Sequence, residues 1–154
     1  MNINKAQREL FNAMLAGRNL RRFELGENRV FITPDGYHGF VLSYSQIQIN
    51  LDKIETMKAF PFQSIITEEN LCKLSKEILL DERRGRKRYL RKLKNEKFIA
   101  YFDDKYMQCF QNPKFYSTSP TSTIVVTEDI SATRKNEMVG VIIPVRIVEE
   151  DFFE

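Results

Sequence analysis

The chain of 154 residues has one histidine, two cysteines and six glycines, and each shortage removes a class of function. A lone histidine, His38, rules out a histidine-rich metal centre. Cys72 and Cys109 make no metal-type spacing and read as reduced, buried thiols. No glycine-rich phosphate loop and no nucleophile motif occurs. No apolar run approaches the ~20 residues that span a bilayer. The opening Met-Asn-Ile-Asn-Lys-Ala-Gln lacks the apolar core of a signal peptide. The expectation is a cytoplasmic protein with no cofactor, no metal and no membrane partner.

Hydrophobic residues make up 42% of the chain and aromatics 12%, which excludes a wholly disordered polypeptide. The simplest organisation is one domain over residues 1–154, large enough to bury about two-thirds of its unfolded surface. The net charge of +3 hides an uneven distribution. Nine of the 24 basic residues fall between positions 83 and 97: Arg83, Arg84, Arg86, Lys87, Arg88, Arg91, Lys92, Lys94 and Lys97. One acid, Glu96, accompanies them, so the rest of the chain is net acidic. Such a run is often a solvated face. Its self-repulsion is relieved when phosphates of a polyanion replace condensed counterions, so these nine residues are the candidate DNA contacts.

The pattern predicts a helix over residues 4–16, capped by Asn4 with Gln7 completing a capping box and ended by Gly17. Ala6, Leu10 and Met14 share a face, with Phe11 and Leu15 beside them. Strands are predicted at 22–25, 29–33 and 37–43, with turns at Gly26-Glu27-Asn28 and Pro34-Asp35-Gly36. Alternating Ile47, Ile49 and Leu51 suggest a further strand over 46–51. After a short apolar run at 62–66, Thr67-Glu68-Glu69 opens a predicted helix carrying Leu71, Leu74 and Ile78 on one face. The basic segment fits a helix with Arg84, Arg88, Arg91 and Lys92 on one side and Tyr89, Leu90 and Leu93 on another. A β-hairpin around Gly85 is the alternative. A strand follows at 97–102, then a short helix capped by Asp103 or Asp104 and carrying Tyr106, Met107 and Phe110. The last strands are predicted at 114–118, 123–127 and 138–147, with a polar loop at 128–137.

Helix, strand, strand, strand thus runs over 4–43 and again over 103–147. Residues 29–33 match 123–127 in character, and Phe40-Val41-Leu42 matches Val141-Ile142-Ile143. Two such halves, about 1–51 and 97–148, would share one core about a pseudo-twofold axis. The predicted fold class is α+β, with duplicated βαβββ-like halves, antiparallel sheets and packed helices. Residues 52–96 form a central segment and 149–154 an acidic tail.

Three stretches resemble bacterial DNA polymerase sliding clamps. Thr33-Pro34-Asp35-Gly36-Tyr37-His38-Gly39-Phe40-Val41 is similar to a strand motif of that family, and Val141-Ile142-Ile143-Pro144-Val145-Arg146-Ile147 to its closing strand. Residues 99–107 resemble the strand-to-helix step that precedes that strand. The resemblance implies a fold of paired βαβββ halves and an apolar pocket that takes short peptides of replication or repair proteins. The implied pocket residues are Gly36, Tyr37, His38, Ile143, Pro144 and Val145, with Arg146 at the edge. Pro34 is an insertion in the first motif, and His38 stands where the family has arginine. Clamps carry three such domains per chain and this chain has room for one, so encircling DNA would require a homo-oligomer.

Catalysis has little support. Adjacent acids such as Asp103-Asp104 at a helix start are commonly caps. Glu149-Glu150-Asp151 reads as part of a solvated tail. Two functions compete: a non-enzymatic clamp-like module contacting DNA through residues 83–97, or a regulator of replication proteins that binds no DNA. A carboxylate-dependent nuclease is a distant third.

Overall fold

The computed structural model describes residues 1–26, 28–57 and 62–147. The tail 149–154 lies outside the described residues, as do Glu27 of the first turn and the side chain of Arg84. Helix α1 (Ile3–Leu15) begins one residue before the predicted start, because Asn2 and not Asn4 is its cap: Asn2 Oδ1 accepts from the Lys5 amide at 3.2 Å. Ala6, Leu10 and Ala13 are buried, whereas Phe11 and Leu15 are exposed. At 3.6 residues per turn those two lie about 140° and 180° around the axis from Ala6, too far to join its stripe.

Among the described residues, ten strands form one mixed, mostly antiparallel sheet. They are β1 (Arg21–Gly26), β2 (Arg29–Thr33), β3 (His38–Ser43), β4 (Glu55–Met57), β5 (Leu71–Asp81), β6 (Arg88–Lys94), β7 (Ile99–Asp103), β8 (Lys114–Tyr116), β9 (Ile124–Glu128) and β10 (Glu137–Ile142). Their order is β4-β1-β2-β3-β10-β9-β8-β5-β6-β7. The pair β1–β4 is parallel. β3 and β10 meet antiparallel at the centre, with Gly140 opposite Phe40 and Val141 opposite Gly39.

The central strands are covered on both faces, so they read as continuous apolar runs. Val30, Ile32, Phe40, Leu42, Ile124, Val126 and Ile142 pack with α1 in the main core. Phe31, Val41, Val125, Met138 and Val141 form a second cluster, against which Phe62, Ile65 and Ile66 pack. The short run at 62–66 is thereby a cover for the second face.

Three predicted elements differ. Residues 46–51 are not a strand: 3-10 turns at Tyr44–Gln46 and Leu51–Lys53 flank them, and Ile47, Ile49 and Leu51 pack on the main core. The helix predicted from Thr67 is only a 3-10 turn at Glu68–Asn70, followed by strand β5. In β5 the register jumps between Leu74, opposite Leu93, and Ile78, opposite Arg91. The extra residues of that irregularity break the two-residue alternation and leave a spacing that imitates a helix. The basic segment is the hairpin alternative, not a helix. β5 and β6 are joined by a 3-10 turn at Arg83–Gly85, with Gly85 at φ 69° and the Arg86 amide donating to Arg83 O at 3.2 Å.

The short helix after β7 is a 3-10 stretch, Asp104–Cys109, capped by Asp103, whose Oδ1 accepts from the Lys105 amide at 3.0 Å. α1 is therefore the one α-helix among the described residues. β10 stops at Ile142, short of the predicted 147. Both cysteines are free and buried. No helix among the described residues is long and apolar enough to cross a membrane.

Candidate binding cleft

The turn between β2 and β3 is locked by its own side chains. Thr33 Oγ1 accepts from the Gly36 amide at 2.8 Å and donates to His38 O at 2.6 Å. Asp35 Oδ1 accepts from the amides of Tyr37 at 2.8 Å and His38 at 3.1 Å, a side-chain turn of the Asx type. Gly36 supplies the left-handed φ of 81° that this path requires.

Beyond β10 the chain runs between this turn and β7. The Ile143 amide donates to Tyr37 O at 2.7 Å, and the Val145 amide donates to Tyr101 O at 2.8 Å. Pro144, which has no N–H to satisfy, sits between the two donors. The result is a cleft of about 640 Å³. Its lining combines Tyr37, Ile143, Pro144, Val145 and Tyr106 with Arg83, Arg86 and Arg88 of the hairpin, Lys105 and Arg146 adding charge and Asp35 and Asp103 opposing it. A second groove of about 630 Å³ shares Arg86, Arg88, Asp103 and Lys105 and extends past Lys87 and Tyr89.

Five of the seven pocket residues expected from the sequence, Tyr37, Ile143, Pro144, Val145 and Arg146, are thus brought together. Gly36 lines a different groove, beside Arg18 and Arg21. His38 is buried beneath the cleft and belongs to its support. Its Nδ1 faces Asp35 Oδ2 at 3.0 Å, and its Nε2 bonds to Glu9 Oε1 of α1. Its ring stacks on Tyr106 at 4.3 Å. Burial disfavours the imidazolium, but its hydrogen bonds to both carboxylates, with their charge, outweigh it and raise the His38 pKa. Burial likewise works against ionising Glu9 and Asp35, yet the His38 hydrogen bonds and charge hold both below their ordinary values. While the ring is protonated, both nitrogens donate to carboxylates and no lone pair remains for a general base. The arrangement cross-links α1, the β2–β3 turn and the 104–109 stretch.

The cations of residues 83–97 fall into two groups. Asp81, buried at the end of β5, accepts from Arg83 Nε at 2.9 Å and Arg88 Nε at 2.8 Å. The Arg83 hydrogen bond, against the opposing effect of burial, holds the Asp81 carboxyl far below the usual range. Arg91 Nε pairs with Asp104 at 2.6 Å and Lys97 with Glu69 at 2.7 Å. Part of the self-repulsion expected from the sequence is therefore relieved within the chain. Arg86, Lys87, Lys92 and Lys94 have no ion-pair partner among the described residues. Replacing Asp81 by leucine is expected to leave two arginines facing each other without their shared anion. A loss of about 2–3 kcal/mol follows from removing hydrogen bonds to a charged group, with amide exchange at 83–88 rising far more than in the central strands. Unchanged protection at those amides would refute this role for Asp81.

Asp103 and Asp104 are committed to a cap and to Arg91, and the described residues hold no group of three or more His, Cys, Asp or Glu suited to a metal. Along the hairpin, Leu80 stands across from Tyr89, with Ile78 two residues along; they are 40%, 49% and 49% exposed. Sequence reasoning missed Glu9, Asp81 and Lys105. The spacing Asp35-x-x-His38 held a local signal for one arm of the triad, but Glu9 is joined to it only by tertiary packing. No protein-family model, curated protein or solved structure matches the chain.

Proposed function

We propose that the protein is a non-enzymatic, clamp-like module that holds duplex DNA without reading its sequence and takes a short partner segment in the cleft. The observation that carries this reading is the convergence of Asp35, Tyr37 and residues 143–146 on one cleft lined also by hairpin arginines. The strand order also supports it. β1-β2-β3 and β8-β9-β10 flank the central β3–β10 pair, each preceded by a helical stretch, as two duplicated halves would be. Val30, Phe31 and Ile32 face the same two clusters as Ile124, Val125 and Val126, in agreement with the sequence match. The second match is displaced by one residue: Val41 shares its face with Val141, and Leu42 shares its face with Ile142.

The unpaired cations Arg86, Lys87, Lys92 and Lys94 are the natural phosphate contacts. Four such contacts predict a slope of about −3 to −4 in log K against log salt. Reversing all four to glutamate is expected to abolish retention of a 20-base-pair duplex (about two helical turns) at low salt while circular dichroism stays unchanged. Sequence composition of the duplex should matter little, because phosphate contacts position without reading bases. If the wild type fails to retain duplex even at low salt, the DNA reading fails.

A second reading, a regulator that binds protein and no DNA, is favoured by one specific observation. Arg83, Arg88, Arg91 and Lys97 already have carboxylate partners in the chain. The same retention experiment separates the two.

A further inference from the structure

We propose that the chain supplies its own occupant for the cleft: the acidic aromatic tail, Glu149-Glu150-Asp151-Phe152-Phe153-Glu154, docks back between Tyr37, Ile143 and the hairpin cations. The inference rests on the cleft being a binding site, as the proposed function holds, but not on what that site binds from outside.

Three observations carry it. The first is reach. Residues 143–146 wall the cleft and Ile147 is the last described residue, so the tail begins at the cleft's rim. Six residues from Ile147 to Phe153 can extend up to about 20 Å, ample for doubling back over a site its own root lines. The second is charge. Arg86 and Arg146 are exposed and without ion-pair partners among the described residues, and the one ion pair of Lys105, to Asp103, is a marginal 3.9 Å, its ammonium also lying over the Tyr106 ring at 5.2 Å. The tail offers four carboxylates in six positions. The third is the apolar surface. Tyr37 is 64% exposed and Ile143 36% exposed, so apolar surface lies open beside the cations. The two phenylalanines at the centre of the tail suit that mixed lining. A phosphate backbone would satisfy the cations but leave Tyr37 and Ile143 uncovered.

A tethered segment acts at an effective concentration on the order of 1 mM, so even a contact with a Kd near 0.1 mM would be about nine-tenths closed. External ligands of the cleft would then bind about tenfold more weakly than to a chain whose tail cannot dock. The tail is a competitor that a tighter partner must displace.

The test uses the full chain without DNA, with Phe153 replaced by the photocrosslinker benzoylphenylalanine. Irradiation at low protein concentration and low salt should give a crosslinked monomer, with the link at Tyr37, Lys105, Tyr106 or residues 143–146. Half-molar salt, or Arg86→Glu with Arg146→Glu, should suppress it. Links scattered over the surface would overturn the proposal, and so would a crosslinked dimer, which would assign the tail to a second copy. A fluorescent peptide of residues 148–154 gives the second arm. It should bind the Phe152→Ser/Phe153→Ser chain about tenfold more tightly than the wild type; equal binding, or no binding to either, refutes docking in cis. Failure here leaves the duplex-retention result standing, and failure of duplex retention leaves the crosslink standing.

Discussion

Replacing Gly39 with alanine is expected to lower the unfolding midpoint sharply, although it adds one methyl group. A Cβ at this position would lie 2.5 Å from Cζ of Phe31 and 2.6 Å from the carbonyl oxygen of Ile32. The phenylalanine ring can swing aside at some cost to the second core cluster. The carbonyl cannot, because Ile32 is held in the β2–β3 ladder opposite Phe40. Overpacking a close-packed interior costs about 1–3 kcal/mol, occasionally more, and a backbone clash within strands covered on both faces sits at the upper end. For a chain of this size about 3 kcal/mol corresponds to a fall in Tm of roughly 6–12 °C. Adding Phe31→Leu should recover only part of the loss, since it relieves the ring and not the carbonyl. Gly140→Ala is the companion test, with Phe110 Cζ at 2.7 Å and Gly39 O at 2.9 Å from the added atom. A Gly39→Ala midpoint matching the wild type would show that β3 can shift away from β2, contrary to the packing described above.

The second large effect concerns His38→Gln and depends on pH. A neutral glutamine cannot neutralise both Glu9 and Asp35, so two carboxylates are left close together with one weaker donor. Hydrogen bonds to charged groups contribute about 1.5–3 kcal/mol each, but Glu9 is 40% exposed and its share is discounted for solvent screening. A loss of about 2 kcal/mol near pH 5.5 is expected. The folded chain holds the His38 proton more tightly than an unfolded one, whose ordinary value is 6.5. The contribution is therefore complete below about pH 6.5 and fades as pH rises through the raised folded value. Glu9 and Asp35 act oppositely: their ordinary values are 4.5 and 3.8, and their contribution disappears as pH falls through the lowered folded ones. The neighbouring Tyr106 hydroxyl and Cys109 thiol are pushed up by burial, the thiol to about 12, so neither titrates in this window. The wild type should exceed the variant most between about pH 4.5 and 6.5. A stability difference that is flat from pH 5.5 to 9, measured by urea unfolding, would remove the triad from the account.

How far the sequence revealed this architecture differs by region. α1, β2, β3 and β9 were readable because Ala6 and Leu10 keep a helical period in α1 and the three strands are near-continuous apolar runs, from Val30 and Ile32 in β2 to Ile124 and Val126 in β9. The central segment was not, because the irregularity between Leu74 and Ile78 shifts β5 out of strict alternation. Leu90 and Leu93 are both fully buried three residues apart in β6, a spacing that suits a helix better than a strand. Five of the twelve residues lining the cleft, Tyr37 and 143–146, were legible from motif-like stretches. Its support was not, since Glu9 and Asp81 reach their partners through tertiary contacts and leave no local pattern.

The central β3–β10 pairing also has a consequence for biosynthesis. β1, β2 and β3 can form their meander as soon as they emerge from the ribosome, but β10 is translated only after every other strand. Until then the inner edge of β3 presents unpaired amides and carbonyls beside Phe40, Val41 and Leu42. Pairings between strands so distant along a chain form slowly, because loop closure precedes the contacts that reward it. The nascent chain therefore carries a sticky, half-built sheet until β10 is made. Slow translation of the stretch before residue 137 would lengthen that exposure, and a bound chaperone would shield it.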